Sequence, residues 1–220
     1  LLTLAVMASP PLLRRRRETA AVIALAVLGT ALLGLHYAGQ HRAGRIDAAI
    51  DARLRHRLDG HLRFLQHLVS PADPLSVVVI CLVLLVVFLL AGRRRAAVLI
   101  ALGPALAAGF TEFVLKPLIG RRIHDSLSFP SGHTTGAVSV AVVIVVVLLG
   151  PSRPHWPGLV RWAASVLAML GAIAVATALV GSGYHYATDT LGGFCVAVGV
   201  VLTVALAIDE MCRYMRTVEP

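Results

Sequence analysis

Six apolar stretches divide the chain, at residues 20–38, 75–91, 96–115, 134–150, 162–180 and 190–208. Each is close to the roughly 20 residues (about 17–25) that a helix needs to cross the hydrocarbon layer. Backbone groups in lipid must find partners within their own segment, so these stretches read as helices. The expected architecture is an all-α, six-transmembrane helical bundle forming one integral-membrane domain over residues 1–220. Between the first two spans the pattern changes. Ile46, Ile50, Leu54, Leu58, Leu62, Leu65 and Val69 recur near helical spacing among many charges. This predicts an amphipathic helix over about 45–69, lying on the outer membrane face or forming a rim that guides an anionic headgroup.

Composition supports the membrane reading: 58% of residues are hydrophobic, 14% are charged, and the mean hydropathy is +0.83. A net charge of +9 raises the question of nucleic acid, but its distribution answers it. The arginines at 14–17, at 93–95, at 153 and 161, and at 213 and 216 all fall on one side of six alternating spans. That is the positive-inside pattern, which reads them as solvated topology anchors and places both termini in the cytoplasm. No nucleic-acid partner is expected. Leu1 is not an initiator methionine, Met7 is an alternative start, and the leading apolar residues precede their charges, the reverse of a secretory signal. Cys81 and Cys195 lie in predicted spans and Cys212 just beyond one, with no metal-type or disulfide spacing. Ala-, Arg-, Val- and Gly-rich usage fits a GC-rich bacterium and hence its inner membrane.

Three polar clusters occupy gaps on the outward side: Lys116 to Arg122, Phe129-Pro-Ser-Gly-His133, and Gly183-Tyr-His185-Tyr-Ala-Thr-Asp189. The Pro-Ser-Gly-His string reads as a turn opening the fourth span. There Ser131 can hydrogen-bond an anion, Gly132 permits close approach, and the helix start presents free amides. His133 beside them is either a general acid or an incidental residue at a helix cap. His185 and Asp189 share a face if both are helical. A carboxylate on one imidazole nitrogen leaves the other nucleophilic, although such a pair is also a common structural hydrogen bond. Lys116, Arg121 and Arg122 supply the cations that a phosphoryl transition state needs. Glu112 lies one turn before Lys116 and pairs with it, Tyr184 and Tyr186 read as interfacial aromatics, and Gly192 and Gly193 as close-packing positions.

In this order, Lys116 to Arg122, Pro130-Ser-Gly-His133 and His185-x3-Asp189 resemble the three-part signature of the type 2 phosphatidic acid phosphatase/haloperoxidase superfamily, in its membrane lipid phosphatase branch. The resemblance implies metal-independent dephosphorylation of a lipid phosphate, without a cofactor. His185 would be the nucleophile, Asp189 its orienting partner and His133 the general acid, with Lys116, Ser131 and the Gly132 amide on the phosphate. The family's Arg-Pro positions are here Ile123 and His124, and its Ser-Arg positions Ala178 and Leu179. Either Arg121 or Arg122 substitutes from a shifted register, His124 contributes as an auxiliary, or the enzyme is weakened; substitution by Arg121 is favoured. The alternative function is a weakened relative that binds or transports anionic lipids. A metal hydrolase using His133, His185 and Asp189 fits the residue types but lacks a supporting ligand set.

Overall fold

The computed structural model describes residues 9–58, 60–151 and 154–218. Leu1, Met7 and Arg153, named above, lie outside the described residues. Helix α1 (Arg16–Tyr37) is followed by two helices of the first loop, α2 (Arg45–Leu58) and α3 (Leu62–Val69). A 3-10 turn, Ser70–Ala72, leads into α4 (Pro74–Leu90). Helix α5 (Arg94–Gly109) runs through a π turn, Phe110–Leu115, into α6 (Lys116–Ile119). A two-stranded antiparallel hairpin, β1 (Arg122–Ile123) and β2 (Ser126–Leu127), precedes α7 (Gly132–Leu149), α8 (Gly158–Gly181) and α9 (Ala187–Val218).

Among the described residues five helices are long and apolar enough to span a bilayer: α1, the continuous Arg94–Ile119 segment, α7, α8 and α9. A sixth arises if Leu62–Ala72 and Pro74–Leu90, bent by 48° at Asp73, count as one span. The fold is an all-α bundle, and each expected span falls in one of these helices. Helix α7 sits at its centre: 61% of its apolar window is buried, against 11% for α1. It packs on α5, α8 and α9, and α9 in turn packs on α1 and α5. Leu99, Ile100, Val143, Ala197, Val201 and Ala205 are fully enclosed between them. On the rim, Leu25, Leu35, Leu75, Leu90 and Leu159 point outward, as lipid-facing side chains do.

The two ends of the bundle differ in chemistry. At one end the N-terminal segment meets the C-terminal half of α9: Asp209 accepts from the Leu12 and Leu13 amides and pairs with Arg95 at 2.9 Å. Arg95 is thus a buried ion-pair partner rather than the solvated anchor expected from its run. At the other end lie the three polar clusters.

The first loop departs from expectation. Gly60, at φ +79°, breaks the chain between α2 and α3, so there is no continuous helix over 45–69. The apolar stripe also divides. Leu65 and Val69 of α3 pack on Val175, Ala178 and Leu179 of α8, whereas Ile46, Ile50 and Leu62 stay exposed. The face that α2 buries carries Asp47 and Asp51. A period of apolar residues signals burial only when the neighbour is apolar, and α2 docks against amides and a guanidinium.

Candidate functional site

The π turn at Phe110–Leu115 closes α5 and brings Glu112 and Lys116 together. Lys116 Nζ donates to the Glu112 carboxylate at 2.8 Å. Gly120, at φ +66°, then ends α6 in the left-handed conformation that favours glycine, and the chain turns inward at Arg121. Ser131 caps α7, its Oγ accepting from the Thr134 amide at 3.4 Å and the Thr134 hydroxyl at 3.1 Å. Gly132 and His133 are the first residues of that helix, where amides have no partner within the helix and the dipole favours an anion. Gly193 makes this turn possible: a Cβ there would lie 2.6 Å from the Ser131 carbonyl.

Helix α9 begins only at Ala187, so His185 stands in the preceding turn and does not share a helix face with Asp189. The two converge because Asp189, in the first turn, folds back to accept the Tyr186 amide at 3.1 Å, one half of a capping box. His185 Nδ1 lies 3.6 Å from Asp189 Oδ2, just beyond hydrogen-bond length, and has no other partner. The His133 and His185 rings stand 6.5 Å apart, centroid to centroid. His133 Nε2 also lies 3.5 Å from Asp73, the residue just before α4, which was not singled out from the sequence because Asp before Pro reads as an ordinary helix cap.

Glu112, Lys116, Gly132, His133, Tyr184 and His185 line one cavity of about 770 Å³. Its far wall is apolar and runs down α4 and α5 through Val77, Cys81, Leu85, Ala108, Pro104 and Ile100. Among its described lining residues Lys116 is the one Lys or Arg, and Glu112 already engages it. The Glu112 carboxylate sits hard against the start of α7, since a Cβ on Gly132 would lie 2.3 Å from Glu112 Oε1.

The other predicted cations are elsewhere. Arg121 is fully buried and absent from the cavity wall. Its Nη1 donates to Asp189 Oδ1 at 2.6 Å and to Thr188 Oγ1 at 2.7 Å, and its Nη2 to Asp47 Oδ2 at 2.5 Å. Tyr37 and Tyr186 stack on its two sides, at 4.0 and 4.4 Å, so Tyr186 is a buried stacking partner and not an interfacial aromatic. The sequence offered no sign of this, because Asp47 lies 74 residues before Arg121. Arg122 is exposed and donates to the Asp125 carbonyl at 2.9 Å. His124, at φ 52° in the hairpin turn, lines a separate cavity of about 650 Å³ with His41, Asp51, Arg55 and Ser182. Ser131 is fully buried, its hydroxyl engaged in the cap.

Asp47 and Asp51 of α2 cap the start of α9. Asp47 Oδ1 accepts from the Thr188 amide at 2.9 Å, and Asp51 Oδ1 from the Ala187 amide at 3.2 Å. Burial, helped by nearby Asp47, pushes the Asp51 carboxyl up to about 6 against the pull of the Ala187 amide. Among the described residues no group of three or more His, Cys, Asp or Glu side chains is arranged to hold a metal ion.

Comparison with known proteins bears on the same part of the chain. The PAP2 superfamily model matches residues 111–211. Over 105 residues the chain is 32% identical to phosphatidylglycerophosphatase B of Bacillus subtilis (strain 168), covering 46% of this chain and 49% of that protein. The chain thus matches about half the length of that relative. No solved structure matches. Lys116, the Pro-Ser-Gly-His turn and His185-x3-Asp189 all lie inside the matched segment, in order, so the part of the chain that carries the site is similar to the PAP2 superfamily.

Proposed function

We propose that this protein is an integral-membrane lipid phosphatase that hydrolyses a phosphomonoester or pyrophosphate of a phospholipid or polyprenyl lipid. The observation that carries the reading is the single cavity joining His133 and His185 to an apolar groove along α4 and α5. A phosphate at the polar end and a hydrocarbon tail in the groove describe an amphiphilic lipid phosphate. The name of the Bacillus relative points to the same substrate class.

His185 Nε2 attacks phosphorus while Asp189 faces Nδ1, and the bond from phosphorus to the lipid oxygen breaks. His133 gives its proton to that departing oxygen. Water then attacks the phosphohistidine, His133 takes a proton from it, and inorganic phosphate leaves with His185 free again. Lys116 and the first amides of α7 hold the phosphoryl oxygens throughout, and the chemistry calls on no metal or cofactor. Ser131 shapes the turn, and Arg121 serves elsewhere.

The chain forms one membrane domain in the bacterial inner membrane. In this reading its arginine-rich ends face the cytoplasm and the cavity opens on the extracytoplasmic side, in line with the positive-inside bias of the basic residues at those ends. The test is phosphate release from phosphatidate, phosphatidylglycerol phosphate, polyprenyl pyrophosphate and a prenyl-linked sugar phosphate, with chelator present. One of these is turned over by the wild type and by neither His185→Ala nor His133→Ala. Full activity in either variant refutes the mechanism.

A further inference from the structure

The buried cluster around Arg121 holds one cation against two carboxylates, Asp47 and Asp189, all three fully enclosed. Such a group is costly to desolvate and is a weak source of stability against an apolar replacement. Its placement suggests a different use. Asp189 has both oxygens fixed: Oδ1 by Arg121 at 2.6 Å, and Oδ2 by the Tyr186 amide at 3.1 Å. That leaves Oδ2 aimed at His185 Nδ1 from 3.6 Å. Arg121 is fixed in turn by Asp47, which also accepts from the Thr188 amide and, at 3.0 Å, from the Thr188 hydroxyl. Two tyrosine rings close its remaining sides. Its Nε is left without a hydrogen-bond partner, but the side chain is fully buried and does not line the cavity that holds the two histidines.

We infer that Asp47 and Arg121 are positioning residues, which act through Asp189 to hold His185 in its attacking orientation. Helix α2 of the first loop thereby belongs to the catalytic apparatus, and Arg121 does not touch the substrate. The inference rests on the reading of His185 as nucleophile. Removing the Asp47 charge frees Arg121 to swing, Asp189 loses its fixed rotation, and the imidazole loses its aim. Phosphate binding at Lys116 and Gly132 is untouched, so kcat falls and KM does not.

The experiment compares Asp47→Asn, Arg121→Lys and Thr188→Val with wild type in the full chain in detergent, with His185→Ala as control. Folding is followed by thermal melting and elution volume. Asp47→Asn and Arg121→Lys lower kcat about 10- to 100-fold, part of what positioned acid–base groups contribute, with KM and the inhibition constant of inorganic phosphate within about twofold. Thr188→Val removes one hydroxyl and leaves every charge paired, so it folds even where the charge variants do not; it lowers kcat about threefold with the same KM. A rise in KM and in the phosphate inhibition constant with kcat preserved makes Arg121 a phosphate ligand and overturns the inference. Unchanged kinetics in folded variants overturn it too, and unchanged kcat in Thr188→Val does so alone if the others fail to fold. Activity in His185→Ala instead refutes the underlying phosphatase mechanism, a result separable from the others.

Discussion

Gly132→Ala separates the proposed anion seat from the stability of the helix that forms it. A Cβ at this position would lie 2.3 Å from Glu112 Oε1 and 3.7 Å from Lys116 Nζ. The first distance is impossible, but the obstacle is the end of a flexible, exposed side chain, so Glu112 swings away and its pair with Lys116 breaks. A partly exposed pair of this kind contributes about 0.3–0.5 kcal/mol, and replacing a helical glycine by alanine returns about 0.5–1 kcal/mol. Folding stability therefore stays within about 1 kcal/mol of wild type. Binding fares worse, because the new methyl occupies the space where a phosphoryl oxygen must approach the first amides of α7. Losing one hydrogen bond to a charged group costs about 1.5–3 kcal/mol, which is about 10- to 150-fold in kcat/KM. Phosphate release against substrate concentration, beside a thermal melt in the same detergent, reads both quantities. A folded variant with unchanged kcat/KM would refute the placement of phosphate at this helix start.

Glu112→Gln frees Lys116 from its internal carboxylate and strengthens inhibition by inorganic phosphate about 3- to 10-fold, read as the inhibition constant; an unchanged constant shows that Glu112 does not compete for the seat. Asp51, with its carboxyl raised to about 6, stabilises the fold below the ordinary carboxylate range and loses that contribution as pH rises through about 6. Asp51→Asn does not titrate, so its melting temperature gains on wild type between pH 4 and pH 7; a constant difference contradicts this. Arg95→Ala leaves Asp209 buried without its cation and costs about 3–5 kcal/mol, while KM of the folded fraction stays unchanged. Chemical denaturation and a KM measurement check it together.

Much of the bundle was legible in the sequence, because a run of some twenty apolar residues permits few structures in lipid. The ordered motifs were legible for a related reason: each sits where a span ends, and topology places those ends on one side. The pairing of Glu112 with Lys116 follows from their spacing on a continuous helical segment. What stayed hidden depends on long-range partners. Nothing near Asp47 shows that its face docks on Thr188 and Arg121, and amphipathic periodicity pointed to Ile46 and Ile50 instead. Arg121 reads as a phosphate ligand until both its carboxylates are located. Asp73 reads as a cap, and its approach to His133 requires the packing of α4 beside α7. The break at Gly60 and the short β1–β2 hairpin turn on single residues, Gly60 and His124, at positive φ.

The most direct measurement is a rapid acid-free quench of the protein turning over a lipid phosphate labelled on phosphorus, followed by mapping of the label. A phosphoryl group on His185, formed and lost at rates that account for turnover and absent from His185→Ala, is the result the account predicts. Turnover with no label on the protein, or label carried by a different residue, would contradict it.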